Sequence, residues 1–183
     1  VKRSVEGDLG MRHNAATIVE AAGLDAIARD AGLPSQRTSE LVERYAREVE
    51  HLPGNADELA LDQALARAAV RIAVARHCGS VDTVYTVNGP AAVQQGKDLS
   101  ALKTVIGTGG ALAHGPDPRA VLRMALADPA APQSLRPRAP RLLVDRDYLL
   151  YACGLLGAVE PEAALELALK HLKEAPNERT LVA

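Results

Sequence analysis

A run of glycines follows directly after an apolar segment and is the stretch most suggestive of chemistry. Glycines let a backbone approach a ligand closely and adopt positive φ angles. Exposed N–H groups at a strand-to-helix turn favour the sugar or phosphate of a nucleotide. The residues predicted to contact a nucleotide are Gly107, Thr108, Gly109, Gly110 and Ala111. A tight turn that serves packing alone is the alternative.

A second candidate cluster places two carboxylates and an arginine among glycines near the start of the chain. Its members are Glu6, Asp8 and Arg12. Carboxylates and a guanidinium in this pattern could orient a metal-bound phosphate or polarise a water molecule. Alternatively, Glu6 and Asp8 form ion pairs with Arg12 and Arg3 that only order a loop.

Motifs for independent catalysis are absent from the sequence. The dinucleotide pattern GxGxxG fails because Leu112 occupies its last glycine position, and a phosphate loop fails because Lys97 is followed by Asp98. Cys78 and Cys153 are far apart in the sequence, so we expect two buried free thiols. The five histidines have no ligand spacing. We therefore expect no metal site and assign no catalytic residue.

The composition excludes several classes of protein. The 183 residues include 21 basic and 23 acidic side chains, 48% hydrophobic residues, and neither Phe nor Trp. This hydrophobic fraction disfavours disorder. With only four Tyr as well, the chain is too poor in aromatic residues for a surface that stacks on single-stranded nucleic acid, and the charge balance excludes a broadly basic DNA-binding domain. Without a membrane-length apolar run or a signal peptide, we expect a cytoplasmic protein with no nucleic-acid or membrane partner.

Helical periodicity dominates the chain. A long alanine-rich helix is predicted at 56–78, beginning with the capping-box pair Asn55 and Glu58. Asn14 is the expected N-cap of the first helix. The other predicted helices end at Gly23 and Leu156 (the latter capped by Asp145) or occupy 24–31, 36–52, 118–127 and 161–173.

The β-branched segments predict three strands, at 81–87, 102–107 and 141–145. We expect residues 88–102 to be helical or irregular. This order of elements predicts a helix-rich α/β or α+β chain with few strands for its length. Two units are predicted: a helical subdomain at 1–78 that includes an N-terminal loop or strand, and an α/β unit at 79–183.

Three sequence blocks taken together are similar to one known family. They are KRSVEGDLGMR (2–12), GKDLSALKTVIGTGGALAHG (96–115) and DRDYLLYACGLL (145–156). In this order they resemble the glutamate mutase accessory proteins, the family called GlmL or MutL. That family is unrelated to the mismatch-repair protein that shares the second name.

The resemblance implies an ATPase of the actin, Hsp70 and sugar-kinase superfamily, whose lobes are ribonuclease H-like. Residues 1–78 would be its helical subdomain, and 79–183 the C-terminal part of an actin-like α/β lobe. ATP and Mg²⁺ would be cofactors of the longer protein, and the partner would be an adenosylcobalamin-dependent mutase that itself carries the cobalamin. The superfamily contacts adenosine with a glycine-rich turn, which Val105–Ala111 match. The oligomeric state is open.

The chain also departs from the superfamily, because it contains neither of the two DxGxT-type phosphate loops. We therefore expect the C-terminal portion of an ATP-dependent reactivating, chaperone-like factor, with weak nucleotide binding at best and no ATPase activity by itself. One alternative is a helical interaction module that docks through 36–52 and 161–173. Another is part of a small-molecule kinase of the same superfamily, although no Asp stands out to activate a phosphoacceptor.

Overall fold

A computed structural model describes residues 4–176, which form a mixed α/β structure with eight helices and two small sheets. The helices are α1 (Ala15–Ala22), α2 (Leu24–Ala31), α3 (Ser35–Arg47), α4 (Ala56–His77), α5 (Gly110–Ala113), α6 (Pro118–Arg123), α7 (Leu150–Leu156) and α8 (Pro161–His171). The strands are β1 (Ser80–Thr86), β2 (Gly89–Gln95), β3 (Thr104–Gly107), β4 (Arg141–Asp145) and β5 (Leu172–Glu174). None of these helices is long and apolar enough to cross a membrane.

Helix α4 is the central element of the fold. Its small alanine side chains let neighbouring elements approach closely on several sides. Leu61 and Leu65 are buried against the first three helices in one hydrophobic core, while Ala66 is buried in a second core with α6 and the sheet. The predicted long, internally packed helix is confirmed.

Helix α3 confirms the predicted amphipathic pattern but ends earlier than expected. Leu41, Val42 and Tyr45 are buried on its inner face. The helix ends at Arg47 rather than at residue 52. Residues 48–53 instead form an irregular link whose His51 reaches the Glu58 carboxylate, so a tertiary contact outweighs the local helical pattern.

The second half of the chain contains a three-stranded sheet with the strand order β3-β4-β5. Strands β3 and β4 are parallel, with Gly107 opposite Val144, and β5 is antiparallel to β4. Parallel neighbours need a long crossover, which α5, α6 and the proline-rich residues 128–140 provide. Helix α6 ends at Arg123, four residues before its predicted end.

The prediction of a helical or irregular segment at 88–102 is wrong for its first half. Residues 89–95 form β2, which pairs with β1 in an antiparallel hairpin, with Thr86 opposite Gly89. The hairpin is largely exposed. Because neither of its faces is buried, β2 has no apolar alternation by which the sequence could reveal it.

Strand β5 is another element absent from the sequence prediction, which also gives no bounds for the four-residue helix α5. The helix expected at 161–173 ends at His171, and Leu172 begins the strand. Leu, Lys and Glu are good helix formers. Hydrogen bonding to the open edge of β4 outweighs that propensity here.

Candidate functional site: a cleft beside the glycine turn

The glycine-rich turn lies at the carboxyl ends of two parallel strands. Gly107 ends β3, Asp145 ends the neighbouring β4, and α5 begins at Gly110. Ligands of open α/β sheets bind at this end of the strands. Gly109 has a φ angle of 107°, which side chains larger than hydrogen rarely allow. The turn therefore has the strand, sharp glycine and helix start in the predicted order.

Glycine is suited to these positions of the turn for two different structural reasons. A Cβ at Gly107 would come within 2.6 Å of Leu122 and 2.7 Å of Leu112, so this glycine permits close core packing. A Cβ at Gly109 or Gly110 would meet nothing within 4 Å. The packing interpretation thus accounts for Gly107, whereas Gly109 and Gly110 leave open space in front of the backbone.

The buried carboxylate of Asp145 holds the turn in place. It accepts hydrogen bonds from the Thr108 hydroxyl (2.9 Å) and from the backbone N–H groups of Leu149 and Leu150 (both 2.9 Å). Burial by itself raises the pKa of Asp145, but these hydrogen bonds together outweigh burial and lower the pKa below its usual value. Asp145 therefore satisfies the first N–H groups near α7 and also fixes the side chain of Thr108. The helix predicted to begin at Asp145 instead begins at Leu150, with Leu149 at its N-cap position, so Asp145 binds the helix start from four residues before that N-cap.

A cleft of about 620 Å³ opens beside this turn. The turn contributes Gly110 and Ala111 to one side, and helix α4 contributes Asp62 and Gln63. The remaining lining residues come from the N-terminal segment, the link before α4, the start of α4 and the turn after α5: Met11, Arg12, Val49, Glu50, His51, Leu52, Pro53, Leu59, His114 and Gly115. The structure thus brings the predicted residues Gly110, Ala111 and Arg12 to one cleft.

Arg12 is held rigidly at the wall of this cleft. Its Nη1 and Nη2 donate to the two carboxylate oxygens of Asp62 at 2.9 and 2.8 Å, and its Nε donates to the His51 carbonyl at 3.0 Å. The guanidinium also lies 4.1 Å above the ring of Tyr45. Two-point hydrogen bonding and ring stacking together fix its orientation.

Glu6 and Asp8 do not join Arg12. Both bind Nη1 of Arg76 instead, at 2.9 and 2.8 Å. The hydrogen bond from Arg76 lowers the pKa of Asp8. The predicted ion pairs with Arg12 are therefore wrong, because the fold places the helix α4 guanidinium between the two carboxylates; Arg3 lies outside the described residues. Glu6 and Asp8 order the N-terminal loop away from the cleft.

A buried carboxylate supports the link that forms the cleft's other wall. Glu58 accepts hydrogen bonds from the Gly54 N–H (2.7 Å), Arg44 (2.7 Å) and His51 (2.9 Å). The Gly54 N–H and His51 are the main reasons why its pKa falls to about 2. The predicted Asn55–Glu58 cap is confirmed with one change, since Glu58 reaches back to Gly54 rather than to Asn55.

Sequence reasoning missed His51, Asp62 and Gln63 as cleft residues. Asp62 and Gln63 lie within an alanine-rich helix whose polar residues occur on several faces, and nothing in its pattern separates them from solvent-facing positions. One signal was available, because Asp62 follows Glu58 by four residues and therefore shares its helix face.

Within residues 4–176, no three His, Cys, Asp or Glu side chains are grouped to hold a metal ion. The predicted free thiols are present, Cys153 buried and Cys78 half-buried.

Comparisons with known proteins agree on one family. The sequence model of the family described as MutL protein matches residues 1–172. Protein MutL of Clostridium tetanomorphum is 35% identical over 171 residues, a match that covers 93% of this chain and 37% of that relative. The chain thus spans a little over a third of the relative's length. No solved structure matches. The resemblance carried by the three sequence blocks is confirmed: the chain belongs to the MutL protein family.

Proposed function

We propose that this chain is the adenosine-binding and partner-contacting portion of an ATP-dependent factor that reactivates an adenosylcobalamin-dependent mutase such as glutamate mutase. Membership of the MutL family supports a role with glutamate mutase. The observation that carries the nucleotide part is the cleft, because Gly110, Ala111 and Arg12 come from distant sequence positions and line the same space. Cobalamin, in this proposal, is held only by the mutase.

The chemistry of the cleft supports a nucleoside. Met11, Leu52, Pro53 and Leu59 give it apolar walls, which suit the faces of a planar base. Within residues 4–176, the N–H groups of Gly110 and Ala111 have no backbone acceptor and lie beside the open space of the turn. These donors could hold ribose or phosphate oxygens. ATP would supply the driving force through hydrolysis, and its magnesium and terminal phosphates would be held elsewhere in the longer protein.

We also propose that the sheet is the C-terminal part of an actin-like, ribonuclease H-like lobe. Its parallel β3–β4 pair, with a glycine turn and a buried aspartate at the carboxyl ends, supports this architecture. In that arrangement, the lobe and the helical region containing α1–α4 close over the nucleotide. Closure would differ between the ATP and ADP states, and this difference would transmit force to a mutase that holds damaged cobalamin.

Calorimetric titration of the chain with ATP and Mg²⁺ tests the nucleotide proposal. We expect weak binding, weaker than micromolar, and no ATP turnover by the chain alone. Replacing Gly110 with Val, which fills the open space before the turn, should abolish that binding, while Gly7→Val serves as the control on the exposed N-terminal loop. Binding that is equal in both variants, or absent from the unchanged chain, contradicts the proposal.

A helical interaction module is the second candidate function, and exposed apolar side chains favour it. Leu155 on α7, and Leu165 and Leu169 on α8, are each more than 60% exposed. Helix α3 fits this role less well, because it buries its apolar face. Capture of purified glutamate mutase by the chain, compared with capture by a Leu165→Ser/Leu169→Ser variant, tests the contact. Mutase binding that nucleotide does not alter favours the module, and nucleotide-dependent binding favours the reactivating factor.

A further inference from the structure

Gln63 is a buried polar residue of the cleft whose side-chain oxygen has no hydrogen-bond partner in the described part of the chain. It lies on α4 and is only 6% exposed. Its Oε1 has no hydrogen-bond partner within residues 4–176. The Nε2 end lies against Gly115, where a Cβ would come within 2.5 Å of it. The absence of a side chain at position 115 therefore leaves room for this amide at the cleft wall.

A buried hydrogen-bond acceptor without a partner is unfavourable. Leaving a buried acceptor unsatisfied costs free energy, and native proteins seldom retain such groups without a use. The neighbouring polar groups cannot satisfy it, because Arg12 and Asp62 are paired with each other and His51 is bonded to Glu58. Among the side chains of this wall, Gln63 therefore has a buried acceptor oxygen that its neighbours leave unsatisfied.

The chemistry of the amide indicates what would satisfy it. A glutamine side chain presents a donor and an acceptor side by side, and rotation of the amide exchanges their places. The edge of adenine offers the complementary pair, a 6-amino donor next to a ring nitrogen acceptor. The apolar residues Met11 and Leu59 line the same cleft and suit the faces of the ring.

We propose that Gln63 recognises the base of the bound nucleotide by pairing with the 6-amino group of adenine and its adjacent ring nitrogen. This proposal rests on the nucleotide-binding function proposed above. Gln63 binds the ligand in this role and takes no part in phosphate chemistry. It makes the second turn of α4 a specificity element, whereas the glycine turn contacts the sugar and phosphate side.

The test compares two nucleotides that differ only at the recognised group. Adenosine 5′-diphosphate and purine riboside 5′-diphosphate, which carries hydrogen in place of the 6-amino group, are titrated against the chain. We expect the unchanged chain to prefer adenosine diphosphate about three- to tenfold, the range for one neutral hydrogen bond. Gln63→Leu, which keeps the volume and removes the polar atoms, should bind both nucleotides equally and unfold at the same or a higher temperature.

Two further variants complete the test. Gln63→Ala checks that the effect does not depend on leucine, and Gln94→Ala on the exposed hairpin should keep the full preference. If the unchanged chain binds neither nucleotide, the proposed function itself fails. If it binds adenosine diphosphate and Gln63→Leu retains the same preference, only the role of Gln63 is wrong.

Discussion

At the scale of single residues, buried carboxylates organise this protein more than exposed ion pairs do. Asp145 and Glu58 are both almost fully buried, and each side chain accepts hydrogen bonds from three groups that lie on more than one segment of the chain. A charged acceptor with several donors forms stronger hydrogen bonds than a neutral one. Each therefore fixes one side of the cleft, Asp145 the turn and Glu58 the link before α4.

Replacing Asp145 with Asn should destabilise the turn. The neutral side chain offers one acceptor oxygen in place of two, so one of the donors Thr108, Leu149 and Leu150 loses its partner. We expect a loss of about 1–3 kcal/mol in the free energy of unfolding, measured by urea denaturation at pH 7. Asp147→Asn, on the exposed side chain that contacts His171, should lose much less. An unchanged stability of the Asp145 variant would show that these hydrogen bonds contribute little.

Because the pKa of Glu58 is lowered in the folded protein, the free energy of unfolding should depend on pH in the acid range. Its pKa is about 2 in the folded protein, against an ordinary glutamate value of 4.5, so folding favours the ionised form. This contribution is fully present above about pH 4.5 and is lost as the pH falls toward 2. The stability difference between the unchanged chain and Glu58→Gln should therefore be large at pH 7 and shrink below pH 4.5.

Denaturant unfolding at several pH values measures this dependence. Glu48→Gln is the matched control, because Glu48 also binds Arg44 but is 53% exposed. Its effect should be small at every pH, as expected for a solvated ion pair. A Glu58→Gln difference that stays constant from pH 7 to pH 3 contradicts the assignment.

At the scale of elements, the turn between β3 and α5 contains one glycine that matters for core packing, Gly107, and another that faces the cleft, Gly110. Gly107→Ala places a methyl group against Leu112 and Leu122 in the core and should destabilise the protein by about 1–3 kcal/mol. Gly110→Ala meets only open space, so its stability should change little. If the turn contacts a nucleotide, Gly110→Ala should nevertheless weaken adenosine diphosphate binding.

Thermal unfolding and nucleotide titration of the two variants decide this point. Equal stability of Gly107→Ala and the unchanged chain would mean that the leucines move aside at no cost. Unchanged nucleotide affinity of Gly110→Ala, with binding present in the unchanged chain, would place the ligand away from the helix start. The two measurements are independent, because one position faces the core and the other faces the cleft.

At the scale of the whole molecule, strand β3 is left at an edge. Within residues 4–176 it pairs only with β4, and an open groove of about 730 Å³ lined by Val5, Leu102 and Val105 runs beside it. An open edge and an adjacent apolar groove are unfavourable exposures for an isolated unit. The matched relative is much longer than this chain. The proposed actin-like lobe therefore requires further strands beside β3.

Hydrogen exchange tests this requirement. In a full-length family member, the backbone amides corresponding to residues 104–107 should exchange more slowly than in this chain alone. Strand β4 is already paired on both sides and should change less. Equal exchange at β3 in both proteins contradicts the proposed lobe. The outcome does not depend on nucleotide binding.

Sequence patterns predicted the elements that bury one face. The helices containing Leu41 and Leu61, and the strands containing Val105 and Val144, follow from apolar spacing because a buried face requires it. The hairpin strand β2 buries almost nothing, and β5 is defined by its partner strand, so neither has a local signature. The prediction failed at these two strands, where hydrogen bonding rather than burial defines the element. Strand β1 is as exposed as β2 but was predicted, because its β-branched residues alternate.

The sequence alone determined the helix-rich α/β class, the family and the glycine turn, because these depend on local spacing and on the identity of short blocks. Only the tertiary structure decided which charges meet. In the folded chain, Arg12 pairs with Asp62, and Glu6 and Asp8 pair with Arg76. Gln63 lies at the cleft, and its side-chain oxygen has no partner within residues 4–176. Such pairings depend on the packing of elements that are distant in the sequence, and several acidic residues of the chain could pair equally well with each arginine until the helices dock.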